Sequence, residues 1–94
     1  MCIINLASIF SQTPDMPHAG AVFYDKVKEA FSNSTDVVVD MEEVTALPSI
    51  FLNVSIGKII DEYGIDRLKS SMSFSKITKA QAQRLKEYLV KYKA

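Results

Sequence analysis

One hydroxyl stands where an α/β protein would put chemistry. Within Val37–Gly64, VVVDMEEVTALPSIFLNVSIGKIIDEYG, an apolar strand ends in Asp40, a short polar connection reaches Pro48-Ser49, and a helix then runs to Gly64. Ser49 therefore falls at the start of a helix on the carboxyl-end side of a buried strand, where open α/β sheets collect ligands and modifications. That position offers two roles. As an N-cap, the hydroxyl accepts a bond from an early helix amide, worth about 1 kcal/mol. As a phosphorylation site, it would set about two negative charges among free amides at the helix dipole and change any surface that docks there. The cap is the simpler reading, and both can hold at once.

Other chemistry is harder to assemble. Asp40, Glu42 and Glu43 are close enough in sequence to collect a hard cation, but acidic residues after a strand are more often a solvated loop. Asp40 is expected to close the strand and bond nearby loop amides. His18 is the one histidine and Cys2 the one cysteine, so no zinc spacing and no internal disulfide can be written. Cys2 reads as a small buried hydrophobe. Three glycines, at 20, 57 and 64, cannot build a Walker loop or a dinucleotide turn. A nucleophilic Ser49 would need a base beside it, and the one histidine sits in a proline-rich stretch. The expectation is no catalytic residue, no metal, no cofactor and no enzyme.

Charge is arranged unevenly. Residues 1–66 hold three basic side chains (Lys26, Lys28, Lys58) against ten acidic ones, whereas residues 67–94 hold eight basic ones against Glu87 alone. A formal charge of zero thus hides two opposed halves, which favours a charged partner or contact between copies. Lys79, Lys86 and Lys93 recur every heptad and would form a rough stripe, which raises weak nucleic-acid binding as an alternative. Tyr88 and Tyr92 fall on the apolar face, however, and look like core rather than stacking platforms. No nucleic-acid motif occurs, so a solvated helix face is the expected reading.

The elements that must position Ser49 follow from periodicity. Ninety-four residues, 48% hydrophobic and 23% charged, imply one folded domain over 1–94 with a thin core that a second copy could help stabilise. The opening MCIINLASIF has no basic n-region and no small-residue cleavage site, so it reads as a first strand over Ile3–Phe10 rather than a signal peptide. No apolar run approaches the roughly 20 residues of a membrane span; a cytoplasmic domain is expected. Ser11–His18 reads as loop because of Pro14 and Pro17. Phe23, Tyr24, Val27, Ala30 and Phe31 predict a helix over Gly20–Phe31. Val37–Val39 predicts a central strand, apolar on both faces.

A second helix is predicted from Ser49, with Leu52, Ile56, Ile59, Ile60 and Tyr63 on one face. Gly64 would stop it, and Gly57 would permit close packing. Met72–Lys76 alternates like a strand with one face in water, and Thr78 is a plausible cap for a last helix over Lys79–Tyr92. The order βαβαβα predicts an α/β fold with a small, mostly parallel sheet, right-handed connections, and helices mainly on one face.

These residues also carry a resemblance. VVVD–EEVTALPSIFLN–IGKI–EYG resembles the STAS-like domains, short bacterial relatives of the anti-sigma-factor antagonists. Asp40, Val44, Pro48-Ser49, Phe51-Leu52-Asn53 and Gly57 carry the pattern, and the likeness covers roughly residues 18–92, with Gly20 before the first helix. The resemblance implies a non-catalytic regulatory module that docks other proteins. In the antagonists, the serine corresponding to Ser49 is phosphorylated by a kinase of the GHKL ATPase type. Around that serine this chain departs from the antagonists at Pro48, Ile50 and Phe51, where they carry Asp, Ser and Gly. The docking surface that the resemblance implies comprises Asp40, Thr45, Pro48, Ser49, Ile50 and Asn53. A small-molecule or nucleotide sensor built on the same helix start is the second alternative.

Overall fold

Among the described residues, three short strands and six helices position the loop that ends at Ser49. The computed structural model describes residues 1–93. Strands β1 (Cys2–Asn5), β2 (Val37–Asp40) and β3 (Met72–Ser75) form one sheet in the order β1-β2-β3. Both ladders are parallel, with Cys2, Val37 and Met72 in one row and Ile4, Val39 and Phe74 in another. These two rows face the core. The alternate rows, Ile3-Val38-Ser73 and Asn5-Asp40-Ser75, look the other way, and Ile3 is 65% exposed. Successive right-handed crossovers that add strands in one direction lay their helices on the same side, which leaves this second face the more exposed one. The α/β class, the parallel sheet and the one-sided helix layer are as the sequence predicts.

Boundaries differ from expectation where capping residues intervene. The first strand does not run to Phe10. It stops at Asn5, whose side chain accepts a 2.8 Å bond from the Ser8 N–H and starts helix α1 (Leu6–Gln12). Leu6 and Ile9, three apart, are then buried on one face. The expected loop over Ser11–His18 is likewise short, because Asp15 caps the His18 N–H at 2.9 Å and helix α2 runs Met16–Ser32. Pro17 fits there because the first turn of a helix has no partner for its missing N–H.

The predicted second helix is two. Helix α3 (Ser49–Val54) and helix α4 (Ile56–Tyr63) are separated at Ser55, which has φ −125° and ψ −82°. Ser55 is fully buried and donates its hydroxyl to the Phe51 carbonyl at 2.7 Å, taking up a group that the break frees. Gly64, at φ 89°, ends α4 as expected, and its N–H bonds the Ile60 carbonyl at 2.8 Å. The chain then forms helix α5 (Ile65–Ser71), which the sequence reading did not include. Last comes helix α6 (Lys79–Lys93).

The core gathers beneath the helix layer. Phe51 meets Phe10 and Phe23 edge-on, with ring centroids 5.0 and 5.8 Å apart. Gly20 lets α2 cross α3 closely, since a Cβ at that position would overlap the Val54 side chain and sit 3.2 Å from the Phe51 carbonyl oxygen. Gly57 does the same against α6, where a Cβ would come within 2.8 Å of the Tyr88 hydroxyl. Among the described residues, no helix is long and apolar enough to cross a membrane.

Candidate functional site

The loop from Met41 to Pro48 is built on a three-residue rhythm. Met41, Val44 and Leu47 are buried anchors, while Glu42, Glu43, Thr45 and Ala46 are exposed. At its start the Asp40 carboxylate accepts the Glu42 N–H at 3.0 Å, the loop-amide bond expected of it. The Met41 N–H donates to the Ser75 carbonyl at 2.9 Å, so the loop leaves the sheet tied to β3.

Helix α6 holds the rest of the loop through one stripe of side chains. Thr78 caps the helix by accepting the Gln81 N–H at 3.1 Å, and the Gln81 side-chain oxygen in turn accepts the Thr78 N–H at 3.1 Å. The remaining side of the buried Gln81 amide donates to the Val44 carbonyl. One turn on, Arg84 donates from Nε to the Leu47 carbonyl at 3.2 Å and from Nη2 to the Ser49 hydroxyl at 2.7 Å. One turn further, the Tyr88 hydroxyl donates to Asn53 at 2.9 Å. Tyr92 stacks on Tyr88 and bonds Asp61, which pushes its phenol up to about 12. Residues 81, 84, 88 and 92 follow helical spacing, so a single face of α6 reads the loop and the two helices after it.

Ser49 is not the N-cap of α3. That position belongs to Pro48, and no side chain caps the helix. The exposed hydroxyl of Ser49 turns instead to Arg84, because a guanidinium is a stronger donor than a backbone amide. The dipole argument weakens for the same helix, which is six residues long and ends at the Ser55 break. Positive charge at Ser49 comes from Arg84.

The structure brings most of the predicted docking residues together. Thr45 and Pro48 line a hollow of about 450 Å³ with Gln81 and Arg84. Ser49 and Asn53 line an adjoining hollow of about 320 Å³ with Arg84, Tyr88 and Lys91. Arg84 is the wall between them. Ile50, next to Ser49, is 53% exposed. Asp40 lines neither hollow: it is half-buried at the strand end, and its negative charge helps raise the Lys76 ammonium after the larger effect of Glu42, which accepts from Lys76 at 2.9 Å.

Glu87 places a carboxylate at the lining of the second hollow, beside Lys91. His18 lies against Asp15 at the start of α2, 2.8 Å away, and both are exposed. Among the described residues, no three potential ligands gather to hold a metal. Of the lysine stripe, Lys79 and Lys86 are exposed on α6, and the Lys93 side chain lies outside what is described.

A family model for the STAS-like domain of unknown function (DUF4325) matches residues 19–82. The chain belongs to this family. No curated protein and no solved structure matches it significantly. The matched span of the STAS-like domain opens in α2 and takes in β2, the loop, Ser49 and the Gln81 anchor. Arg84 falls just beyond it. Sequence reasoning missed Arg84 as a site residue by counting it with the basic third of the chain. The usable signal was its place one helical turn after Gln81 and one before Tyr88.

Proposed function

We propose that the STAS-like domain is a non-catalytic regulatory module that docks a protein partner through Thr45, Pro48, Ser49, Ile50 and Asn53, with phosphate on Ser49 as the switch. The observation that carries this reading is the 2.7 Å bond from Arg84 to the exposed Ser49 hydroxyl. A phosphate there would receive charge-assisted bonds from Arg84, about twice as strong as neutral ones, with Lys91 lining the same hollow. It would also draw the guanidinium from the Leu47 carbonyl and set about two negative charges beside exposed Ile50. One modification would then loosen the loop and repel an apolar or acidic docking face. Asp40 is left out of the surface, since its carboxylate serves the loop amide. The resemblance to anti-sigma-factor antagonists supports an ATPase of the GHKL type as partner and kinase, with the bacterial cytoplasm as the setting.

The test is recovery of the tagged protein from its host, followed by mass spectrometry of co-purifying proteins and of the Ser49 peptide. The expected result is an ATPase or kinase-like partner on the unmodified protein and phosphate on a fraction of Ser49. A Ser49→Glu variant that retains the partner as tightly as the unaltered chain would overturn the switch. Absence of any partner would overturn docking itself.

A further inference from the structure

The sheet has an open edge at β3, because among the described residues its one strand neighbour is β2 on the inner side. Ser75 turns its carbonyl inward to the Met41 N–H. Phe74, one residue earlier, must therefore turn its own N–H and C=O outward. Beside this edge, between α5 and α6, runs a groove of about 550 Å³. Phe74, Ile77, Leu85 and Leu89 give it an apolar floor, and Lys69 and Lys86 stand at its rim. It shares no residue with the hollows around Ser49. Neither rim lysine has a carboxylate within 4.0 Å among the described residues, whereas Lys28 and Lys76 do.

We propose that this edge and groove form a second docking site, which takes an extended acidic segment of a partner protein as a fourth strand. The outward N–H and C=O of Phe74 would bond its backbone. Its apolar residues, at every second position, would enter the groove, and its carboxylates would meet Lys69 and Lys86. Charge decides the occupant. A second copy pairing β3 with β3 would bring two sets of rim lysines together. Pairing its β1 instead would offer a segment, Met1–Ser11, without a single carboxylate. The opposite sheet edge lacks these features, since the hollow beside β1 has Lys26 and Glu29 of its own at the lining.

The experiment titrates the protein with a synthetic peptide of alternating valine and glutamate and, separately, with its valine–lysine counterpart. Amide exchange and chemical shifts are followed by NMR. The valine–glutamate peptide is expected to bind, to slow exchange at Phe74 at least tenfold, and to shift residues of β3, α5 and α6. Lys69→Glu with Lys86→Glu should weaken it at least tenfold and let the valine–lysine peptide bind; both sites are exposed, so the variant keeps the fold. Equal binding of the two peptides, shifts centred on Ser49 rather than Phe74, or unchanged Phe74 exchange at saturation would each overturn the proposal. So would self-association of the protein that protects Phe74 without peptide.

Discussion

Arg84 and Ser49 lie on different helices and meet at 2.7 Å, guanidinium to hydroxyl, while the same guanidinium reaches back 3.2 Å to the Leu47 carbonyl. The two bonds have unequal weight. Leu47 is buried and its carbonyl acceptor has few alternatives, whereas the Ser49 hydroxyl faces water. Arg84→Ala should therefore cost about 1–2 kcal/mol, the loss of a charged donor to a partly buried acceptor. Ser49→Ala should stay within about 0.5 kcal/mol, as surface changes do, and below the roughly 1 kcal/mol that a lost N-cap would take. Urea unfolding of both single variants and the double variant measures this. The double variant should match Arg84→Ala alone, and a Ser49→Ala loss near that of a cap would contradict the placement of Pro48 at the cap position.

Gly20 is a packing residue rather than a turn residue. In an ordinary helix interior, Gly→Ala would stabilise by roughly 0.5–1 kcal/mol. Here the added methyl overlaps Val54 and crowds the Phe51 carbonyl, and overpacking of that kind costs about 1–3 kcal/mol. Gly20→Ala is expected to destabilise, and a second change, Val54→Ala, should return part of the loss. Thermal unfolding of the pair tests the contact, since a stabilising Gly20→Ala would show that α2 and α3 are not in close approach.

Tyr92 makes stability depend on alkaline pH. Its bond to the Asp61 carboxylate, with smaller effects from burial and from the charge of Asp61, raises its pKa from 10.0 to about 12. A raised pKa means that the folded state favours the protonated phenol. The contribution is whole below pH 10 and is lost as pH climbs from 10 to about 12. Tyr88 is shifted the same way, chiefly by burial. Urea midpoints should fall across that window, and Tyr92→Phe should flatten the fall without abolishing it. Tyrosinate absorbance should show Tyr92 titrating late.

What could be read from the chain depended on how far apart the deciding atoms lie. Val37–Val39 reads as a central strand because all three side chains are apolar, and it is central. Asp40 is a strand-end residue bonding a loop amide two positions on, a local event with a local signature. The STAS-like pattern was legible in VVVD and SIFLN for the same reason. Asn5 and Asp15 were misread because an apolar run and a proline pair hid the capping chemistry that ends β1 and starts α2. Ser55 looked like one polar residue within a helical face, and its bond to Phe51 becomes visible only once the helix breaks there. The Ser49 environment was beyond sequence reasoning, since Arg84 reaches it from the far side of a whole βα unit.

The register of the sheet bears on how the chain folds. Cys2 pairs with Val37, and Val37 pairs with Met72, so the two crossovers are equal in length. Loop-closure entropy is then the same for both ladders and gives neither a head start. The order of assembly falls to local helix formation within each crossover. The first holds the long, Asp15-capped α2, while the second holds three short helices broken at Ser55 and Gly64. β1 and β2 should therefore meet first across α2, with β3, and the anchoring of the Ser49 loop to α6, joining last.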